Sequence, residues 1–369
     1  MDNKLEYQTT IFQNIIRKKY KELRKWARKN RISAYRLYDR NIPEIPLSLD
    51  IYEFLPEDIS TTIESARFMS EQNSRLSEND PFIENEIKER RYAVLYLYER
   101  PYEKDEAEEE IWLDSMASAV SEVLNISKDK IIKKQRKHQK GLNQYEKNDT
   151  STTQKKIIQE QGQLFYLDLT TYLDTGLFFD HRPLRSLIRD TSSKKSVLNL
   201  FCYTGSFSVY AAQGNASYVE SVDLSNTYLS WAKSNMELNS FTDKKKYVFT
   251  KQDVIEFLHT KLESENKEKY DIIILDPPTF SNSKSSQNVL DINRQWPDLV
   301  TDCINLLAPG GVLYFSTNST RLNFNQDLIP SQNKESVNIS ISDITTESIP
   351  KDFENTKCHK CYKISLQKE

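Results

Sequence analysis

The stretch Asp271-Ile272-Ile273-Ile274-Leu275-Asp276-Pro277-Pro278-Thr279-Phe280 runs a short apolar segment straight into an acid, two prolines and an aromatic ring. Four consecutive apolar residues, three of them β-branched, predict a strand buried on both faces. Pro277 and Pro278 cannot donate to a ladder and restrict the backbone, so they stop the strand in a rigid turn. In open α/β sheets the carboxyl ends of the strands are where ligands bind. Phe280, held at such an end, suits stacking on a flat ring such as a nucleobase. A turn aromatic that merely packs is the plain alternative. Asp276 reads either as an acceptor for a base or as the residue that orients the turn.

Working outward, the same alternation repeats. Apolar segments at 197–201, 218–223, 247–251, 271–275 and 312–316 read as strands, and helical patterns fall near 183–190, 206–213, 225–239, 253–264 and 291–308. Strand and helix in turn imply a doubly wound parallel sheet. In the tail, 337–341 and 361–364 read as an antiparallel pair at its edge.

Three strand ends carry polar residues in order. Leu198-Asn199-Leu200-Phe201-Cys202-Tyr203-Thr204-Gly205-Ser206 is a strand, a small-residue turn and a helix start, with Gly205 allowing close backbone approach to a ligand. It is not G-x-G-x-x-G, so a dinucleotide is not favoured. Asp223 closes the next strand, 18 residues on, where an acid meets ribose hydroxyls. Asp253 follows the third strand and is placed for an adenine edge, although an acid there is also the usual helix N-cap. The three together predict S-adenosylmethionine as cofactor.

The first half has a different texture. Residues 10–31 read as an amphipathic helix with Phe12, Ile15, Ile16, Leu23, Trp26 and Ala27 inward. Between Arg17 and Arg31 nine cations face one anion, Glu22, which marks Arg24, Lys25 and Arg28 as candidates for phosphate contact against the alternative of a solvated face. Strands are expected at 35–38, 47–54 and 92–98, loop or short helices over 57–90, and a helix over 105–124 with Ile111, Leu113, Met116, Ala119, Val120 and Val123 inward. A basic stretch over 131–145 includes Lys133, Lys134, Arg136 and Lys137, and a strand pair is expected near 164–169 and 171–179. These elements predict a small α+β RNA-binding domain over 34–170, after a basic helix over 1–33 and before the sheet domain over 171–369. Lys284, next to the Asp-Pro-Pro turn, is a further phosphate candidate.

Composition sets the outer limits. A net charge of −3 excludes a globally basic nucleic-acid binder but not local basic patches. No apolar run approaches membrane length, and the start shows no apolar signal region, so neither a membrane nor secretion by that route is expected. Four cysteines make no disulfide framework and fit a reduced, cytoplasmic setting. Cys358-His359-Lys360-Cys361 invites a zinc reading, but no second cysteine pair completes four ligands, so no metal is expected. Cys202 reads as packing rather than a nucleophile. No cysteine stands at Thr279 or at Ser316-Thr317-Asn318, which disfavours methylation at pyrimidine carbon 5.

Asp-Pro-Pro-aromatic after a buried strand resembles the motif of nucleic-acid amino- and ring-nitrogen methyltransferases. With the stretches 199–207, 222–232 and 276–284, it resembles the bacterial 23S ribosomal RNA large-subunit methyltransferases. Tyr172–Arg182, Tyr35–Glu44, Gln139–Tyr145, Asp352–Asn355 and His359–Cys361 are similar to that family as well. The resemblance covers nearly the whole chain and is nearest the guanine-N-7 half of the bifunctional 23S rRNA guanine methyltransferase. It implies a Rossmann-like class I methyltransferase with a small α+β N-terminal domain. The implied product is 7-methylguanosine in 23S rRNA or a large-subunit assembly intermediate. Another RNA base (guanine N-2 or cytosine C-5) and a non-catalytic assembly factor are the alternatives. It implies catalytic roles for Asp276, Pro277, Pro278 and Phe280. It implies cofactor contacts from Asp180, Arg182, Phe201, Tyr203, Thr204, Gly205, Asp223, Leu224, Asp253 and Asp276, with Arg182 pairing the methionine carboxylate. Two departures stand out: the fused partner half is missing, implying one modification, and 316–324 leads into a polar stretch rather than a helix.

Overall fold

The computed structural model describes residues 2–100, 102, 104–136, 155–265, 268–281, 289–329 and 339–367. Lys137 and Lys284 lie outside the described residues. The chain divides into two compact units, Met1–Phe179 and Asp180–Glu369. That division falls nine residues beyond the expected 170/171, and the basic helix belongs to the first unit.

In the first unit, α1 (Asp2–Lys29) precedes β1 (Ala34–Asp39) and β2 (Leu47–Glu53); α2 (Thr62–Ser77), α3 (Ile83–Glu89), β3 (Arg91–Tyr98), α4 (Glu106–Leu124) and β4 (Ile131–Arg136) follow. The sheet order is β1-β2-β3-β4, antiparallel except for β3 and β4, whose parallel pairing needs the α4 crossover. Phe12, Ile16, Leu23 and Ala27 of α1 share one core with Trp112, Leu113, Met116 and Val120 of α4 and Leu49, Ile51 and Leu95 of the sheet. Trp112 Nε1 donates to Gln8 Oε1 (2.9 Å), so the buried indole nitrogen is satisfied between the two helices. Ile111, expected inward, is 61% exposed. The turn of α4 that buries Trp112 rotates its neighbour outward.

The region 57–90 forms two helices, α2 beginning at a capping box in which Thr61 and Glu64 satisfy each other's backbone N–H. The expected strand over 171–179 does not form. The strand pair is instead β5 (Lys156–Glu160) and β6 (Gln163–Leu167), a two-residue hairpin. Its turn residues Gln161 and Gly162 both have positive φ (52° and 94°), the backbone that matches strand twist. Residues 171–175 instead run irregularly, their carbonyls and side chains accepting from the sheet cations described below.

The second unit alternates as its sequence does: α5 (Arg182–Thr191), β7 (Ser196–Leu200), α6 (Ser206–Gln213), β8 (Tyr218–Asp223), α7 (Asn226–Leu238), β9 (Tyr247–Lys251), α8 (Val254–Glu263) and β10 (Tyr270–Leu275). A short pair, β11 (Phe280–Ser281) with β12 (Leu290–Asp291), leads into α9 (Ile292–Asn305) and β13 (Leu307–Thr317), and the tail adds β14 (Ile339–Asp343), α10 (Thr345–Ser348) and β15 (Lys360–Leu366). The sheet order is β14-β15-β13-β10-β7-β8-β9. β7, β8, β9, β10 and β13 are parallel, while β15 runs antiparallel to both β13 and β14. The tail pair therefore completes the sheet edge as expected. Order reverses between β7 and β10, which places a ligand crevice at their carboxyl ends. Ile273, Ile274 and Leu275 are fully buried, each stabilising by about 1.5–3 kcal/mol.

Candidate active site

The loop after β7 is wound tightly. Phe201 and Tyr203 take positive φ (54° and 51°), as does Gly205 (74°), which is the N-cap of α6. A Cβ on Gly205 would stand 2.7 Å from Ala232 Cβ, so only glycine lets this loop pass α7. Asn235 Nδ2, buried, donates to the Thr204 carbonyl (2.9 Å) and fixes the loop from the other side. Asp223 ties the two loops together: Tyr203 N–H donates to Oδ2 (2.9 Å) and Ser225 N–H to Oδ1 (2.8 Å). Burial pushes the Asp223 carboxyl up, and these N–H groups oppose that shift. Leu224 is half-buried beside it. Asp253 Oδ1 accepts from Ile255 and Glu256 N–H and caps α8, so its cap role is realised.

At the end of β10, Ser316 Oγ donates to Asp276 Oδ1 (2.5 Å) and Thr279 Oγ1 to Asn318 Oδ1 (2.5 Å). The Asp-Pro-Pro turn is thus pinned to the exit of β13, the parallel neighbour of β10. Pro277 is buried, Pro278 half-buried, and Phe280 is 50% exposed on the β11–β12 pair. An aromatic half in water at a strand exit differs from a packed turn residue.

Two histidines stand behind Asp276. The family resemblance assigns His181 to the segment that closes the cofactor pocket, with an interdomain hinge contact as the alternative, and His359 is expected only as a strand residue near the sheet edge. His181 Nε2 lies 3.4 Å from Asp276 Oδ2. The ring stacks on His359 at 4.5 Å and 13°. His359 Nδ1 meets Asp180 Oδ2 at 3.0 Å and its Nε2 meets Ser348 Oγ at 2.8 Å. Burial disfavours charge on His359, but Asp180 together with Cys358, whose Sγ lies 3.6 Å from His359 Nδ1, outweighs it and the ring is pushed up to about 10. The Asp180, His181 and His359 donors lie within 4.8 Å of one another. Both nitrogens of His359 face protein partners, Asp180 and Ser348.

Arg182, expected at a methionine carboxylate, is 2% exposed, and its Nη1 donates to Asp352 Oδ1 (2.8 Å), a side chain fully excluded from solvent. The guanidinium is thus part of a buried ion pair, with Asp352 as a partner. Asp352→Asn should lower stability by about 3–5 kcal/mol, because one charge stays buried without its counter-ion. Thermal melts would check this, and an unchanged Tm would refute it.

The expected phosphate contacts separate by environment. Lys134 is buried, with Nζ donating to the Tyr172 and Leu173 carbonyls (2.6 and 3.0 Å), and burial lowers its pKa to about 8. Arg136 pairs with Asp174 (2.6 Å), Lys133 with Asp114 (2.6 Å) and Arg28 with Glu84 (3.0 Å). Arg24 is half-buried. Lys134 and Arg136 thus hold residues 172–174 on the sheet. Lys25 remains exposed, in line with Lys18, Lys21 and Lys29, and none of these four has an ion pair among the described residues. Cys202 is buried with its thiol pushed well up, as packing requires.

Asp223, at the end of β8, laces the loops after β7 and β8 together beside the point where strand order reverses. A family model for S-adenosylmethionine-dependent methyltransferases matches residues 113–350. The chain is 39% identical over 355 residues to ribosomal RNA large subunit methyltransferase K of Neisseria meningitidis, covering 96% of this chain and 87% of that protein. It is 37% identical to methyltransferase K/L of Magnetococcus marinus, of which it spans 43%. A solved Streptococcus mutans structure, described as an S-adenosylmethionine-dependent methyltransferase, superposes with a TM-score of 0.65 at 19% identity, over 97% of this chain and 81% of that one. The chain is therefore an S-adenosylmethionine-dependent methyltransferase. It belongs to the ribosomal RNA large-subunit methyltransferase K family. Among the described residues no helix is long and apolar enough to cross a membrane.

Proposed function

We propose that this chain methylates N-7 of a guanine in 23S ribosomal RNA, free or in a large-subunit assembly intermediate, in the cytoplasm. The Neisseria relative, a ribosomal RNA large subunit methyltransferase, supports the substrate class. The observation that carries the reaction is the pinned Asp276 turn with half-exposed Phe280 beside it. Bound S-adenosylmethionine supplies a sulfonium-activated methyl; as the S–CH3 bond breaks and the N–CH3 bond forms, positive charge passes from sulfur to the base. Guanine N-7 has an in-plane lone pair and loses no proton, so no general base is needed.

Gly205, Tyr203, Thr204 and Phe201 form the wall on which the cofactor lies. Asp223 and Leu224 would hold its ribose, and Asp253 would face its adenine. Asp180, also expected at the cofactor, is engaged with His359. Phe280 stacks on the target base, Asp276 accepts from its edge and faces the charge that develops, and Pro277 and Pro278 hold the turn rigid. A labelled-methyl assay on 23S rRNA from cells lacking the gene, followed by nucleoside mass spectrometry, tests this. Labelled 7-methylguanosine is expected, and label in another nucleoside would overturn the N-7 assignment.

Lys18, Lys21, Lys25 and Lys29 lie opposite the buried face of α1, over about 17 Å of helix at 1.5 Å per residue. They fit an RNA phosphate backbone. Replacing Lys18, Lys21 and Lys25 by Ala should flatten the dependence of log affinity on log salt by about 2–3, near 0.7–0.9 per lost contact. An unchanged slope in filter binding would remove this helix from the RNA interface.

A further inference from the structure

We propose that His359 is an imidazolium that keeps His181 neutral with its proton on Nε2, and that His181 in this form positions the Asp276 carboxylate without cancelling its charge. The inference rests on Asp276 being at the methyl-transfer turn.

The proton inventory comes from hydrogen bonds. Ser348 has one hydroxyl proton and lies 2.8 Å from both the Thr345 carbonyl, which can only accept, and His359 Nε2, which can donate; we assign that proton to Thr345. Ser348 Oγ, 2.8 Å from His359 Nε2, is therefore the acceptor there, and Nε2 carries a hydrogen. The other nitrogen faces the Asp180 carboxylate at 3.0 Å, so Nδ1 carries one as well. With both nitrogens donating, the ring is a cation, in keeping with its strongly raised affinity for protons.

A second cation stacked 4.5 Å away inside the fold would be strongly repelled. His181 is 6% exposed and edges against Phe207 of α6, with ring centroids 5.8 Å apart. The charged groups around it are Asp276, Asp180, His359 and Arg185; burial leads in lowering its proton affinity, His359 and Arg185 add to that, and the two carboxylates oppose it. Its Nε2 faces those carboxylates, at 3.4 Å to Asp276 and 4.0 Å to Asp180. An Nε2 lone pair would be repelled there, so the hydrogen sits on Nε2. Nδ1 is left as a buried lone pair with no partner among the described residues. Ser316 holds Oδ1 of Asp276 and His181 limits Oδ2, so the carboxylate has one orientation and keeps its full charge for a base that becomes positive. Protonating His181 would put a cation 3.4 Å from that carboxylate and offset it.

Two measurements test the assignment. Long-range 15N–1H NMR on histidine-labelled protein at pH 7 needs no RNA, so it stands or falls apart from the guanine reading, and only four histidines need assignment. The expected pattern is a doubly protonated His359 and an Nε2–H His181; a neutral His359, a charged His181 or an Nδ1–H His181 would each overturn it. The second is the kcat profile of His359→Gln. Removing the cation frees Asp180 to favour a charged His181, so its pKa rises. The variant should lose activity as pH falls through that value, about tenfold one unit below it, while the wild type shows no such limb above pH 6.5. Identical profiles would sink the proposal, and the wild-type spectra decide it if the variant does not fold.

Discussion

Asp276→Ala is expected to lower kcat by about 10²–10³, a much larger effect than on S-adenosylmethionine affinity or Tm. The reason is where the charge goes. Methylation moves a positive charge onto the base, and a carboxylate about 4 Å from it at an effective dielectric near 20 is worth about 4 kcal/mol. Each 1.36 kcal/mol is tenfold in rate, so losing most of that interaction gives the stated range. KM for RNA should change less than kcat, since the neutral base in the ground state gains less from the carboxylate than the charged one in the transition state. Asp276→Asn separates charge from shape. It keeps an acceptor for Ser316 and should still lose most of the rate. Single-turnover kinetics with saturating cofactor would read both variants. Full turnover by Asp276→Ala would show that the turn is not where methyl transfer happens.

Gly205→Ala is expected to weaken S-adenosylmethionine binding by at least about thirtyfold. Alanine at φ 74° costs about 1–2 kcal/mol, and its Cβ would lie 2.7 Å from Ala232 Cβ, a clash worth about 1–3 kcal/mol more. Ala232 is buried on α7 and has little room to give way. The loop must therefore move, and the Tyr203 N–H to Asp223 bond moves with it. The wall for the cofactor and the acid for its ribose then lose their alignment together. Calorimetry with S-adenosylmethionine measures the effect, and circular dichroism checks that the fold survives. Unchanged affinity would place the cofactor elsewhere. Asp223→Ala should give a comparable loss without the clash, which distinguishes the acid's contact from the loop's shape.

Much of the second unit was legible because its signals are local. Buried parallel strands write themselves as β-branched apolar runs, and 218–223 and 247–251 coincide with β8 and β9 to the residue. Helix caps, prolines and the turn glycine act within a few residues of themselves. In the first unit the hairpin was misplaced because residues 171–179 are apolar enough for a strand, while the Gln161-Gly162 turn that defines the real pair is a weaker signal than Asn-Gly. Ile111 was misread because a helical pattern with apolar residues at 111, 112 and 113 fits more than one rotation, and packing of Trp112 on Gln8 selects one.

The sequence by itself determined the alternation, the sheet, the edge pair, and the polar residues at three strand ends, since each depends on spacing within one element. Only the tertiary structure decided which charges are available. Arg182 and Asp352 stand 170 residues apart and His359 and Asp180 stand 179 apart, yet each pair is in hydrogen-bond contact. Lys134 and Arg136 look the same in the sequence as Lys25, but two are held by carbonyls and a carboxylate and one faces water. Burial and partner decide what a charge can do, and both are properties of the packed chain rather than of any segment.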